Sequence, residues 1–170
     1  VELLLKDPYL KGYGLVHYES PDRRGIDVAM VYKQSRFTVT ASKPMHVFNP
    51  ADTGWRTRDV LLVEGKLDGE RIWIMVNHWP SRRGGEQQSA PLRALAASVC
   101  RHAADSVTAI QPGAKIIIMG DLNDDPTDES VEKVLRAKGK KEKLAPGDLY
   151  DPMTLLFKEG VGSLAYRDAW

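Results

Sequence analysis

Four polar side chains are concentrated in a short stretch in the second half of the chain. Asp121, Asn123, Asp124 and Asp125 follow the apolar segment 116–119, which has the length and branching of a buried strand. Ligand sites of α/β proteins lie at the carboxyl ends of their strands. Carboxylates this close repel one another unless a cation or a positively charged contact offsets their charge. The pattern therefore predicts a site for a cation or for a charged substrate contact.

Two other interpretations of these acids are open. Asp121, Asn123, Asp125 and Glu132 match the spacing of the ligands in a calcium-binding loop of the EF-hand type. That loop turns on a glycine at the position where this chain has Pro126, and the preceding segment is β-branched and strand-like, not helical. The second alternative is a solvated acidic turn without any ligand.

A second group of polar residues lies upstream, where another predicted strand ends. Asn77 and His78 stand at the end of this strand, and Ser81, Arg82 and Arg83 begin the loop that follows. A single histidine at a strand end is more often structural than catalytic, but this one is accompanied by an amide and two arginines. Guanidinium groups bind phosphate through two parallel hydrogen bonds. The loop is therefore a candidate phosphate-binding segment, and a solvated loop is the alternative for its arginines.

The elements between these two groups are predicted to bring them together. A strand at 72–76 is followed by an amphipathic helix at 89–110 and by the strand at 115–119. If the two strands are parallel and joined by this crossover, their carboxyl ends lie at the same edge of one sheet. We therefore predict that His78 and Asp121 lie close together.

The upstream half of the chain has the pattern of an antiparallel sheet with one buried face. Strands are predicted at 14–19, 26–33 and 37–48, and Asp68-Gly69 supplies the two-residue turn of a hairpin that ends in the strand 72–76.

Composition limits the class of protein. The chain has 170 residues, enough for one domain of ordinary size, with 42% hydrophobic and 28% charged residues. Its net charge of +1 provides no overall field that would attract nucleic acid or a membrane, so any contact with a polyanion must be local. Cys100 is the single cysteine, which excludes a disulfide framework. No apolar run approaches the length of a membrane span. The sequence does not distinguish a cytoplasmic from an exported protein.

With these residues assembled, the chain resembles the endonuclease/exonuclease/phosphatase family, the metal-dependent phosphodiesterases related to pancreatic-type deoxyribonuclease. NHWPS at 77–81 resembles the strand-end histidine motif of the family, and GDLND at 120–124 resembles its Gly-Asp-Phe-Asn motif. The segments RGIDVAMVYK at 24–33, TRD at 57–59 and YRDAW at 166–170 are similar to a bacterial branch of the family.

The resemblance implies a fold and a set of roles. The fold would be a four-layer α/β sandwich, of the α+β or α/β class, with two packed mixed β-sheets and outer helices, and residues 1–170 would belong to one such domain. His78 would contact the scissile phosphate, Asp121 would be the general base and a contact for the metal, and Asn123 would orient this base or donate to a phosphate oxygen. The residues expected to bind substrate are Asn77, Arg58, Ser81 and Arg82.

The implied reaction is in-line attack of an activated water on a phosphate ester. It requires a base, a positioned water and neutralisation of the phosphate oxygens, which Mg²⁺ commonly supplies and Mn²⁺ can replace. We expect a magnesium-dependent phosphoesterase, with nucleic acid as one candidate substrate and Trp55 as a candidate for stacking on a base. The alternatives are a phosphatase acting on a small-molecule or lipid phosphate and a catalytically inactive relative that serves as a binding module.

The chain also departs from the family pattern at both ends. Glu2 lies in a helix-like segment and is a poor substitute for the metal-binding glutamate of the family. The closing Ser-Asp-His motif of the family does not occur in these 170 residues. We expect a fragment that lacks the first and last strands of the domain and has little activity by itself. Exposed sheet edges in such a fragment favour homo-oligomers.

Overall fold

A four-stranded mixed sheet lies at the centre of the computed structural model, which describes residues 4–163. The strands are β1 (Tyr13–His17), β2 (Ala29–Lys33), β3 (Phe37–Met45), β4 (Val60–Leu67), β5 (Glu70–His78), β6 (Lys115–Asp121), β7 (Ala137–Lys138) and β8 (Leu149–Tyr150). The α-helices are α1 (Glu86–Ile110) and α2 (Met153–Lys158), and shorter helical turns lie at Leu4–Lys6, Pro8–Leu10, Ser130–Val134 and Lys141–Lys143.

The central sheet has the order β3-β4-β5-β6, in which β3, β4 and β5 are antiparallel neighbours and β6 is parallel to β5. Asp68 and Gly69 form the turn between β4 and β5 with φ angles of 50° and 90°. Positive φ at both central residues is typical of the type I′ hairpin turn, whose twist matches that of the strands. This turn and the antiparallel sheet are confirmed predictions.

The two faces of the sheet bury different partners. On one face, β4 and β5 pack against α1, and the buried residues of this cluster include Val60, Met75, Ala96, Ala97, Cys100 and Ala104. On the opposite face, they pack against the small β1–β2 sheet, and the buried cluster is Val16, Val28, Phe37, Leu61, Val63, Ile72 and Ile74. Packed sheets with an outer helix form the α/β sandwich that the sequence predicts.

The boundaries differ from the predicted ones for local reasons. The predicted strands at 14–19 and 37–48 extend past the ends of β1 and β3, and the predicted strand at 26–33 begins before β2. Helix α1 begins at Glu86, three residues before the predicted start, because Ser89 does not cap the helix; its hydroxyl donates inside the first turn to the carbonyl oxygens of Gly85 and Glu86. Glu2 and the segment 166–170 lie outside the described residues.

Candidate active site

The carboxyl ends of β5 and β6 form the site. These strands are parallel, and their register pairs Asn77 with Gly120 and His78 with Asp121. The Nε2 atom of His78 lies 3.9 Å from Oδ2 of Asp121. The predicted parallel pairing, and the meeting of imidazole and carboxylate at one edge of the sheet, are therefore confirmed.

Gly120 allows this close register. Its φ angle is 124°, and a Cβ atom at this position would lie 2.1 Å from the carbonyl oxygen of Asn77. A side chain would therefore collide with the backbone of β5 and push the two strand ends apart. The glycine of the GDLND motif is required so that His78 and Asp121 stand side by side.

Asn123 joins the two loops that leave the strands. Its backbone N–H donates to Oδ1 of Asp121 at 3.0 Å, and its side-chain Nδ2 donates to the carbonyl oxygen of Trp79 at 2.9 Å. The residue has a φ angle of 52°, a conformation that asparagine tolerates better than most residues. Asp121 is held in place by this contact, yet 62% of its side chain is exposed. The structure thus brings three predicted catalytic residues together, His78, Asp121 and Asn123.

His78 has an environment that favours the neutral imidazole. Partial burial lowers the pKa of the imidazole, and the positive charge of Arg58 lowers it further, while the Asp121 carboxylate acts in the opposite direction. A neutral ring has one nitrogen that donates and one that accepts a hydrogen bond. The neutral ring of His78 therefore keeps one N–H that can donate to a phosphate oxygen.

Arg58 does not lie where a substrate contact is predicted. Its side chain is buried, and Nε donates to the carbonyl oxygen of His78 at 3.0 Å while Nη2 donates to that of Trp79 at 2.6 Å. Nη1 donates to Asp22 at 3.2 Å, and Arg24 pairs with the same carboxylate from the solvent side. These contacts hold the pKa of Asp22 well below its usual range, with the hydrogen bonds from Arg24 as the largest cause. Arg58 supports the backbone that carries the imidazole, and its role in substrate binding stays a prediction.

Asn77 is also a structural residue, contrary to its predicted contact with substrate. It is 2% exposed, and its Nδ2 donates to the carbonyl oxygens of Met75 and Met119 on adjacent strands. Its Oδ1 accepts from Nε1 of Trp79 at 2.9 Å and from the thiol of Cys100 at 3.0 Å. Every polar atom of the amide is therefore occupied by the protein, and Asn77 fixes the strand ends against α1.

Arg82 pairs with acids of its own chain, and its phosphate contact stays a prediction. Its Nη2 donates to Asp125 at 3.1 Å and to Asp128 at 2.7 Å, and its Nη1 donates to Glu86 at 3.2 Å. Ser81, the last predicted substrate contact, is partly exposed at the start of the same loop, and its role stays a prediction.

The acidic loop that follows Asp121 is stabilised by arginines. Asp124 pairs with Arg93 of α1, and both side chains are almost fully buried. Glu86, Asp124 and Asp128 offer oxygen atoms close enough together to hold a cation, but Arg82 contacts each of these acids. Repulsion among these acids is thus offset by guanidinium groups, which removes the need for a metal in this loop.

Sequence reasoning did not find Asp22, because no motif connects it to the residues it supports. The turn Pro21-Asp22-Arg23-Arg24 before a core strand is the available signal, but its contact with Arg58 spans 36 positions in the sequence.

Three solved structures share this fold. The human Nocturnin catalytic domain, with a bound sulfate anion, matches with a TM-score of 0.60 at 20% identity, over 86% of this chain and 58% of that chain. A truncated TDP2 from Caenorhabditis elegans matches with a TM-score of 0.56 at 22% identity, over 76% of this chain and 47% of that one. ANGEL2, a 2′,3′-cyclic phosphatase in complex with adenosine-2′,3′-vanadate, matches with a TM-score of 0.61 at 18% identity, over 77% and 37%. Identities this low show the fold alone, and the chain spans between 37% and 58% of these structures.

The fold and the strand-end pair define an α/β sandwich with a histidine–aspartate site at the edge of its sheet. The chain belongs to the Endonuclease/Exonuclease/phosphatase family, whose model matches residues 1–170. This confirms the family predicted from the sequence, and the members of this family are hydrolases of phosphate esters. The bacterial branch stays a prediction. No curated protein matches the sequence. Within residues 4–163, no helix is long and apolar enough to cross a membrane.

Proposed function

We propose that the protein is a divalent-metal-dependent phosphoesterase that cleaves a phosphodiester by in-line attack of water. The observation that carries the proposal is the pairing of His78 with Asp121 across adjacent parallel strands, 3.9 Å apart and partly open to solvent. Membership of the family supports the class of reaction. Among the structures that share the fold, a TDP2 from D. rerio is complexed with a single-strand DNA product and ANGEL2 is a 2′,3′-cyclic phosphatase, so nucleic acid is the substrate class we favour.

Each residue of the pair has a separate task. Asp121 accepts a proton from water while the water oxygen attacks phosphorus and the bond to the leaving oxygen breaks. The N–H of Asn123 orients this carboxylate, as its 3.0 Å contact with Oδ1 shows. His78 donates a hydrogen bond to a phosphate oxygen on which negative charge develops. Arg58 and Asp22 hold the backbone of His78 and contribute no direct contact to the substrate.

The donor set fits a hard divalent cation. Mg²⁺ binds proteins through one or two carboxylates and keeps several waters and substrate oxygens, and the exposed carboxylate of Asp121 provides such a ligand. Mn²⁺ suits the same oxygen ligands. The cation would neutralise the phosphate oxygens during attack. Because β5 and β6 end on His78 and Asp121, they contribute one carboxylate, and we also propose that a cation held by these strand ends alone binds weakly.

Hydrolysis by the whole protein tests this function. We expect bis(p-nitrophenyl) phosphate to be cleaved in Mg²⁺ or Mn²⁺ and not in a chelator, and we expect Asp121→Asn to lower kcat by about 100-fold or more. Asp105→Asn is the matched control, because its side chain is 53% exposed and pairs with Arg101 of the same helix, α1. No metal-dependent cleavage of the diester would contradict the proposal and favour a binding module. Cleavage of phosphate monoesters alone would indicate a phosphatase.

Self-association is a separate property that we propose from the sheet edges. Within residues 4–163, β3 and β6 are the two outer strands of the central sheet, and Ile117 and Met119 of β6 are 43% and 51% exposed. An unpaired strand edge favours pairing with a second copy. Analytical ultracentrifugation should show a concentration-dependent dimer that Ile117→Lys weakens. A monomer at all concentrations would contradict this proposal.

A further inference from the structure

A recess of about 340 Å³ lies outside the residues that the proposed reaction uses. It is lined by Arg23, Asp52, Gly54, Trp55 and Arg56. The loop that forms it is shaped from within, because the carboxylate of Asp52 accepts from the N–H of Gly54 at 3.0 Å. The recess is thus a defined feature of the surface, with a role that the strand-end pair does not explain.

Two sets of contacts connect the recess to the segment around His78. Arg23 follows Asp22, whose carboxylate accepts from Arg58, and Arg58 donates in turn to the carbonyl oxygen of His78. On the other wall, Trp55 packs against the buried cluster that contains Trp79, the neighbour of His78 in sequence. These contacts connect the walls of the recess to the backbone that carries His78, and we expect the group next to a phosphate at His78 to reach this surface.

The arginines of the recess differ from the others near the site. Nη2 of Arg23 donates to the carbonyl oxygen of Gly54 at 3.3 Å, and Nη1 of Arg56 donates to the carbonyl oxygens of Thr53 and Trp55 at 2.7 and 2.8 Å. In the part of the chain that the structure describes, neither forms an ion pair with a carboxylate, whereas Arg82 forms several. Backbone contacts orient these guanidinium groups without neutralising them, so their charge is available to an anion.

Trp55 adds an aromatic surface between these charges. It is partly exposed where it lines the recess and partly buried against the core, so its position is fixed. A fixed aromatic ring stacks on a planar ring of any base, and such stacking is tolerant of sequence. The combination of an aromatic face with two available guanidinium groups fits a nucleoside phosphate better than a lipid chain, because the lining contains no aliphatic side chain.

We propose that this recess is a specificity subsite that binds a nucleoside of the substrate on Trp55 and its second phosphate at Arg23 and Arg56. The proposal rests on the proposed phosphoesterase function and specifies its substrate as a nucleotide diester with a further phosphate beyond the scissile one. The strand-end site cleaves, and the recess selects.

Three p-nitrophenyl diesters of increasing size separate binding in the recess from chemistry at the strand ends. They are the methyl ester, a thymidine ester, and the thymidine ester with a second phosphate on its sugar, each assayed with the whole protein in Mg²⁺. We expect kcat/KM to rise about tenfold with the nucleoside, because stacking of one base on an aromatic ring has this magnitude. The second phosphate should add about another tenfold through charge-assisted hydrogen bonds.

Variants assign each gain to its residue. Trp55→Ala should remove the gain from the nucleoside and leave the rate on the methyl ester unchanged, which also shows that the variant is folded; Trp55→Phe should restore most of the gain. Arg56→Gln should remove most of the gain from the second phosphate. Lys66→Gln is the matched control, since Lys66 is exposed, lies near the hairpin end of β4 away from the strand-end site, and forms no ion pair within residues 4–163.

The outcomes distinguish the two proposals. Equal rates on all three esters would overturn the subsite and leave the phosphoesterase intact. A loss in Lys66→Gln equal to that in Arg56→Gln would do the same, because it would indicate an effect of overall charge. No hydrolysis of any ester would overturn the phosphoesterase and, with it, the substrate we assign to the recess.

Discussion

Two carboxylate-rich parts of the same segment differ in how their charge is satisfied. At the strand ends, the side chain of Asp121 is 62% exposed, and its basic partner is the imidazole of His78 at 3.9 Å. A few residues later, the side chain of Asp124 is 3% exposed and pairs with the buried Arg93, while Arg82 contacts its neighbours. The sequence shows one continuous acidic cluster, but the structure divides it into a site and a scaffold. Charge that the protein leaves without a partner, and not the density of acids, marks the site.

The largest effect on stability should come from the scaffold. Asp124→Asn leaves the guanidinium of Arg93 buried without its counter-charge, and we expect it to lower the free energy of unfolding by about 3 kcal/mol. Chemical denaturation followed by circular dichroism measures this change. Asp121→Asn should change the free energy of unfolding by less than about 0.5 kcal/mol, because the residue is exposed.

Activity should show the opposite ranking of these two variants. Below its unfolding transition, Asp124→Asn should retain kcat within about threefold, while Asp121→Asn loses about 100-fold. A stable Asp124→Asn protein without activity would mean that the acidic loop belongs to the site and would end the distinction between the two parts.

The sequence predicts the scaffold of the site better than the contacts within it. The crossover of β5, α1 and β6 places His78 and Asp121 at one edge because parallel strands joined by a helix leave little choice of geometry. In contrast, the sequence does not show which side of the sheet each residue of β5 faces. The strand is apolar on both faces from Ile72 to Val76, so its pattern has no alternation that would show whether Asn77 or His78 faces the site. The structure places Asn77 against Cys100 of α1, and His78, the next residue of the strand, faces the opposite side of the sheet.

Arginine roles are the part that local sequence does not determine. Arg58, Arg82 and Arg93 each donate to a carboxylate that lies between 31 and 46 positions away in the sequence. A guanidinium group in a loop has the same local pattern whether it binds phosphate or an acid of its own chain. Only the tertiary contact decides, which is why two of the predicted substrate contacts are supports.

The pair between Asp22 and Arg58 connects the scaffold to the site, and its loss should have an intermediate effect. Asp22→Asn should lower the free energy of unfolding by about 2 kcal/mol at pH 7, less than for Asp124→Asn because Arg24 approaches Asp22 from solvent. The pKa of Asp22 is lowered in the folded protein, so its stabilising contribution is complete above the pKa of the unfolded chain, near 4, and is lost as the pH falls below it.

Urea unfolding at pH 7, 4 and 3 tests this linkage. The difference in stability between the natural protein and Asp22→Asn should be constant between pH 7 and about 5 and should shrink at pH 3. A difference that grows on acidification would have the wrong sign for a carboxylate with a lowered pKa. Glu159→Gln is a control for general acid effects, because Glu159 is exposed and forms no ion pair within residues 4–163.

The smallest effect should come from Arg82, and it sharpens the comparison most. If Arg82 binds only the acids of its own chain, Arg82→Gln lowers the free energy of unfolding by about 1 kcal/mol, since its contacts are partly exposed, and leaves KM for a phosphodiester within about twofold. If Arg82 instead binds the substrate phosphate, KM rises about tenfold or more, because a charge-assisted hydrogen bond is lost. Steady-state kinetics with increasing salt separates these cases: only a contact with substrate makes the loss in Arg82→Gln smaller as salt screens the charge. An unchanged KM together with a measurable loss of stability assigns Arg82 to the scaffold and leaves Asp121, His78 and Asn123 as the strand-end residues proposed to act at the scissile phosphate.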